Sequence, residues 1–182
     1  MILRWSARQQ AVQALYEPVH ERLNRFCRAR VRGEEDARDV AAETVLRAYE
    51  RFGELRAPGA FLAFLFGIAV RVIQERERRG RRWGLFSRAV AEARPSPAPG
   101  PDVGAEAAIL YDALARLPEA QREAVILFDI ADLSLDDIRL VQGGSLSGVK
   151  SRLRRGREAL TRLLAEAPAP LPSSTTTTRY DA

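Results

Sequence analysis

The chain has 182 residues, 46% of them apolar, and a formal net charge of +5, enough for one sizeable domain or two compact helical ones. A single cysteine, Cys27, and a single histidine, His20, exclude an internal disulfide and leave too few soft ligands for a zinc site. No uninterrupted apolar run approaches the roughly 20 residues of a bilayer span, and the start Met1-Ile2-Leu3-Arg4-Trp5-Ser6 turns polar at once, unlike a secretory signal. The expectation is a cytoplasmic chain with no membrane span, no metal and no cofactor. It is also not expected to be an enzyme, because one histidine cannot supply a nucleophile, base and orienting acid, and no glycine-rich phosphate loop is present.

Apolar residues in the first segment recur at helical spacing: Val12, Leu15, Tyr16 and Val19, then Leu23, Phe26 and Cys27, with Pro18 at a helix start or kink. A second helix is expected from Glu34 to Phe52. Its first turn, Glu34-Glu35-Asp36, is acidic where the helix dipole favours anions, and Val40, Thr44, Leu46 and Ala48 are its inward candidates. Gly53 to Gly59 breaks it. A third helix begins near Ala60 and runs to about Arg79, apolar through Phe61, Leu65, Ile68 and Val72 and basic at its end. Core packing is the expectation for Phe61, while Phe64 and Phe66 are also candidates to stack on unpaired bases.

From Gly84 to Ala105 four prolines, Pro95, Pro97, Pro99 and Pro101, mark a linker stiffened by its composition. Trp83 stands beside it, suited equally to touching DNA or covering the linker junction. The expected organisation is all-α: a helical domain at 5–83, a linker at 84–105, a second helical domain at 106–165 and a disordered tail at 166–182. In the second domain, Ala107 to Arg116 is one helix and Pro118 starts the next, which carries Val125, Ile126, Leu127 and Ile130. Ser134-Leu135-Asp136-Asp137 has capping-box order for a third. Gly143-Gly144 ends it, and Ser145 caps a fourth helix holding Val149 and Leu153.

Charge is unevenly spread. Between Glu34 and Glu54 seven acids face three arginines, whereas Arg71 to Arg82 holds six arginines against two glutamates. Lys150 to Arg162 holds six basic residues against Glu158 alone. Two basic patches point to one polyanion touching both. A short capped helix, a glycine turn and a longer basic helix form a helix-turn-helix layout. With Val149 and Leu153 inward, Ser147, Gly148, Lys150, Ser151, Arg152, Arg154 and Arg155 turn outward, small residues permitting close approach to DNA and arginines reaching bases and phosphates. Asp36, Asp39, Glu43 and Arg47 recur at three or four residues and so share a face of the second helix.

Three stretches carry a family resemblance: Asp36 to Ala48; Phe61-Leu-Ala-Phe-Leu-Phe-Gly-Ile-Ala69 with its trailing arginines; and Leu117-Pro-Glu-Ala-Gln-Arg-Glu123 paired with Val149-Lys-Ser-Arg-Leu153. Together they resemble the extracytoplasmic-function sigma factors over about residues 7 to 165. The resemblance implies a two-domain initiation factor whose partners are core RNA polymerase, promoter DNA and an anti-sigma factor. It gives Asp36, Asp39, Glu43 and Arg47 a polymerase-docking role and assigns −10 DNA to Leu55, Arg56, Arg71, Gln74, Arg78 and Arg79. The helix-turn-helix would read −35 DNA. Two departures bear on those roles: Ala69-Val70-Arg71 replaces the family's Ala-Arg-Asn, and Arg139, Gln142 and Gly144 stand at positions elsewhere small or apolar. Arg139 bears on helix crossing, where a small residue is usual, unless its long stem snorkels outward. The alternatives are a degenerate sigma-like protein-binding module and a free-standing helix-turn-helix regulator.

Overall fold

The structure is a computed structural model that describes residues 7–31, 33–86 and 105–166. All regular elements among them are helical. Helix α1 (Ala7–Tyr16) passes through a single 3-10 turn, Glu17–Val19, into α2 (His20–Arg30). Pro18 lies in the first positions of that turn, where its missing N–H costs nothing. Helix α3 (Glu34–Glu50) and α4 (Phe61–Phe86) follow, separated by two more 3-10 turns. Helix α4 runs on to Phe86 instead of ending near Arg79. The expected linker therefore overlaps helix at both ends, α4 holding 84–86 and α5 (Ala105–Ala115) beginning at its last residue. Its middle, 87–104, the tail beyond 166 and the Trp83 side chain lie outside the described residues.

The first lobe is built on α2, α3 and α4. Leu23, Phe26, Val40, Leu65, Phe66 and Val72 are fully buried, and Phe26 meets Phe66 edge-on at 5.3 Å between ring centres, the geometry that sets a positive ring edge on a negative face. Phe61 and Phe66 are therefore core, and base stacking is closed to them; Phe64 is half-buried. Thr44, which donates to the Val40 carbonyl at 2.7 Å, and Ala48 are buried as expected. Leu46 is not: it is 56% exposed, and Ala37 and Ala41 take the inward stripe with Val40. The stretch Pro58–Gly80 is long and apolar enough to cross a membrane by length and composition alone, but its apolar side chains fill this core, as those of an interior helix do.

In the second lobe, α6 (Glu119–Val125) continues without a break into a π turn, Ile126–Ile130, closed by Ala131 N–H to the Ile126 carbonyl at 2.9 Å. Asp132 then takes a positive φ of 56° and ends the run. Helices α7 (Leu135–Gln142) and α8 (Leu146–Ala165) start on serine caps as anticipated: Ser134 accepts from Asp137 N–H and Ser145 from Gly148 N–H, both at 3.1 Å. Gly143 and Gly144 adopt φ of 75° and 83° between them, a conformation that costs most side chains dearly. The lobes are not separate bodies: α4 packs on α7, and α2 on the π turn, so one apolar core runs through both.

Candidate functional site

Helix α8 packs on α6 at Gly156, where a β-carbon would stand 2.7 Å from Val125 and 3.1 Å from the Gln121 carbonyl oxygen. The α6–α8 contact thus depends on Gly156, whereas position 139 bears on the separate crossing of α7 and α8. Arg139 is free to snorkel outward, and it does, 3.8 Å from Asp136 with its side chain 42% exposed. Gln142 is also accommodated. Its amide nitrogen donates to Glu123 at 3.0 Å and to the Ala120 carbonyl at 3.1 Å, tying the end of α7 to α6. Burial pushes the Glu123 carboxyl above its ordinary value, against the opposing pull of Gln142 and of the Arg30 and Arg152 charges.

The outward face of α8 divides into two groups. Ser147, Lys150, Arg154 and Arg155 are exposed, with Arg154 reaching Glu158 at 2.6 Å. Ser151 is half-buried, and Gly148 lends its N–H to the Ser145 cap. Arg152 departs from the expectation of an outward reader. It is half-buried, donating to the Gln142 side-chain carbonyl at 2.9 Å and the Gly143 carbonyl at 3.2 Å, and so braces the turn between the two helices.

On the first lobe, Arg71, Gln74 and Arg78 follow one another at three and four residues and line one face of α4. Arg71 and Arg78 are exposed and Gln74 half-buried. Arg79 is exposed and lies 3.7 Å from Glu75. Arg56 is exposed in the loop before α4, while Leu55 is half-buried against the core. The α3 stripe splits in the same way. Asp36 and Asp39 are exposed, but Glu43 and Arg47 are engaged with α4. Glu43 accepts from Arg76 at 2.8 Å and from Arg47 at 2.7 Å, and Arg47 reaches Glu75 at 2.8 Å. Burial raises the Glu43 carboxyl, yet Arg76 and Arg47 outweigh it and hold the group below the usual carboxylate range.

A feature that sequence patterning missed adjoins that stripe. The exposed Leu46 belongs to a groove of about 550 Å³ between α1 and α3, lined also by Val12, Tyr16, Ala42, Val45 and Tyr49. Arg8 sets its guanidinium 4.7 Å over the ring of Tyr49, one of the lining residues, and donates to the Tyr49 and Glu50 carbonyls that end α3. The signal in the sequence was Leu46 itself, an apolar residue out of phase with the inward stripe of α3. Cys27 carries no reactive role: it is buried, and burial pushes its thiol up to about 12.

An all-helical chain with a serine-capped helix-turn-helix and a second arginine-bearing helix face has the build of a DNA-reading protein. Residues 15–83 match the family Sigma-70 region 2, and residues 107–160 match Sigma-70, region 4. The chain is 34% identical over 163 residues to the ECF RNA polymerase sigma factor SigM of Mycobacterium tuberculosis strain H37Rv, a match spanning 85% of this chain and 77% of that relative. It is 29% identical over 142 residues to the RNA polymerase sigma-H factor of Pseudomonas aeruginosa, covering 71% and 74% of the two chains. The solved structure of CnrH in complex with the cytosolic domain of CnrY superposes with a TM-score of 0.66 at 25% identity, over 87% of this chain and 91% of that one. The sigma factor RpoE of Bartonella quintana, solved with the anti-sigma factor NepR, shares the fold at 22% identity, with a TM-score of 0.65. The chain belongs to the extracytoplasmic-function sigma factors of the sigma-70 family and is a transcription initiation factor.

Proposed function

We propose that this sigma factor joins core RNA polymerase through its first lobe and directs it to promoters with one reading face on each lobe. The observation that carries this reading is the pair of exposed basic faces, Arg71 and Arg78 on α4, with the half-buried Gln74 between them, and Lys150, Arg154 and Arg155 on α8, each on a helix anchored in a packed core. Arg56, Leu55 and Arg79 complete the −10 face, and Ser147, Gly148 and Ser151 allow the start of α8 to approach −35 DNA closely. Asp36 and Asp39, with the Leu46 groove beside them, form the polymerase surface; Glu43 and Arg47 hold α3 to α4 and so keep that surface in shape. Arg152 supports the reading helix. The chemistry of transcription belongs to the polymerase, and the site of action is the cytoplasm, where polymerase and promoter DNA meet.

An anti-sigma factor is the expected inhibitor, since CnrH and RpoE were each solved bound to a second protein, the latter an anti-sigma factor. The alternative of a degenerate module, which rested on Arg139, Gln142 and Val70, keeps only Val70 in its favour, since Arg139 and Gln142 fit the fold. The domains proposed are 5–83 for polymerase and −10 DNA and 106–165 for −35 DNA. Transcription in vitro with purified core polymerase and a library of genomic promoter fragments tests the proposal. Selective transcripts that depend on the chain are expected; polymerase binding without any promoter-dependent transcript would refute it.

A further inference from the structure

The last residue of α7 carries a relay that ends on the reading helix. The Gln142 amide nitrogen donates back to the Ala120 carbonyl and the Glu123 carboxylate of α6, and its carbonyl oxygen accepts from Arg152 Nε at 2.9 Å. The Ala120 carbonyl can only accept and the Arg152 guanidinium can only donate, so one orientation of the amide satisfies both. Arg152 Nη2 adds a bond to the Gly143 carbonyl at 3.2 Å, in the turn where Gly143 and Gly144 hold φ of 75° and 83°.

What the relay holds is a cation at the start of α8. The Arg152 side chain points back along the helix, as helical side chains do, and its remaining nitrogen, Nη1, lies 3.8 Å from where a β-carbon on Gly148 would stand. Ser147 and Lys150, both exposed, flank the same end. An arginine released there is placed for a DNA phosphate, because backbone contacts ask only for reach and charge. A small or apolar side chain at 142 would offer Arg152 no acceptor and leave it the Gly143 carbonyl alone. Arg154 differs: its partner Glu158 stands on its own exposed face, an i, i+4 pair that solvent and salt loosen.

We infer that Gln142 is a positioning residue for DNA binding that never touches DNA: it keeps the Arg152 guanidinium on the turn and so withholds one cation from the DNA backbone. This role rests on the reading of α8 as the −35 face. Each phosphate neutralised by a cation releases counterions, which adds affinity and steepens the fall of log affinity with log salt by about 0.9. That affinity carries no sequence information. Holding Arg152 back therefore weakens the grip of the lobe on any duplex, promoter or not, and leaves its electrostatic attraction to the exposed Lys150, Arg154 and Arg155.

Fluorescence anisotropy of the full chain on a random-sequence duplex of about 30 base pairs, repeated from about 50 to 200 mM salt, measures the withheld charge. Gln142→Leu should bind more tightly than the parent at low salt and steepen the slope of log affinity against log salt by about 0.9, its advantage shrinking about 3.5-fold across that range. Adding Arg152→Ala should return the slope to the parent's, a reversal that a merely structural loss at 142 would not show. If Gln142→Leu melts below the assay temperature, Glu123→Gln joins it, so that no buried carboxylate loses its donor. The parent's slope in a folded Gln142→Leu chain, or a steepened slope that survives Arg152→Ala, overturns the role of Gln142. Lys150→Ala with Arg155→Ala separates that failure from failure of the α8 reading. A slope flattened by about 2 keeps α8 on the DNA, so the Gln142 result stands or falls alone; an unchanged slope removes α8 from the DNA and the withheld cation with it.

Discussion

Arg152 donates through its Nε to the side-chain carbonyl of Gln142 at 2.9 Å, joining the reading helix to the helix before it. A charged group used as a brace is withdrawn from phosphate contact. Arg152→Ala should therefore lower stability by about 1–2 kcal/mol in urea melts and leave the salt dependence of −35 binding unchanged. Lys150→Ala with Arg155→Ala should do the opposite, flattening the slope of log affinity against log salt by about 2 with stability intact. A flattened slope in the Arg152 variant would return that residue to the DNA surface.

Gly156 permits the α6–α8 crossing because a β-carbon there would press into Val125 and the Gln121 carbonyl. Gly156→Ala is expected to destabilise the chain by about 1–3 kcal/mol despite its better helix propensity, and Gly156→Val by more. At Gly148 the nearest atom to an added β-carbon is the Ser145 hydroxyl at 3.3 Å, so Gly148→Ala should cost less. Thermal denaturation of the three variants checks the order.

Charge reversal on α3 should separate docking from packing. Asp36→Arg with Asp39→Arg touches two exposed carboxylates and should weaken capture by core polymerase at least tenfold with the melting curve unchanged. Glu43→Arg places a cation among Arg47 and Arg76 and should loosen the α3–α4 contact itself. Any polymerase defect in that variant is expected to come with a lower melting temperature. Equal melting temperatures would place Glu43 on the docking surface after all.

The pH response should carry two signs. Glu119 and Glu43 have folded-state affinities for protons below those of the unfolded chain. The stability they confer is present above the ordinary glutamate range and is lost as pH falls through their depressed values. Glu123 is raised, so its contribution is present below the ordinary range and is lost as pH rises through its folded value. Glu123→Gln keeps an acceptor for Gln142 and removes the buried charge. Its melting temperature should exceed the parent's at pH 7 and match it near pH 4; equality at both would show that Glu123 titrates normally.

What the sequence determined by itself was local. Helix positions, the caps at Ser134 and Ser145, the glycine turn and the inward stripe of Val40, Thr44 and Ala48 follow from periodicity, side-chain hydrogen bonding and φ, all properties of a few consecutive residues. The two basic segments were legible too, because charge survives any fold. Only the tertiary structure decided which charges are available. Arg152, Glu43 and Arg47 look on a helical wheel like the exposed residues beside them, and α7 and α4 recruit them as partners. The arginines of α2 carried no signal at all, since their acceptors, Glu119 and the carbonyls of Ile130 to Asp132, lie on the opposite lobe. Pattern along one helix records which face is apolar; it holds no information about which distant helix supplies the opposite charge, and that choice is made by how the two cores pack.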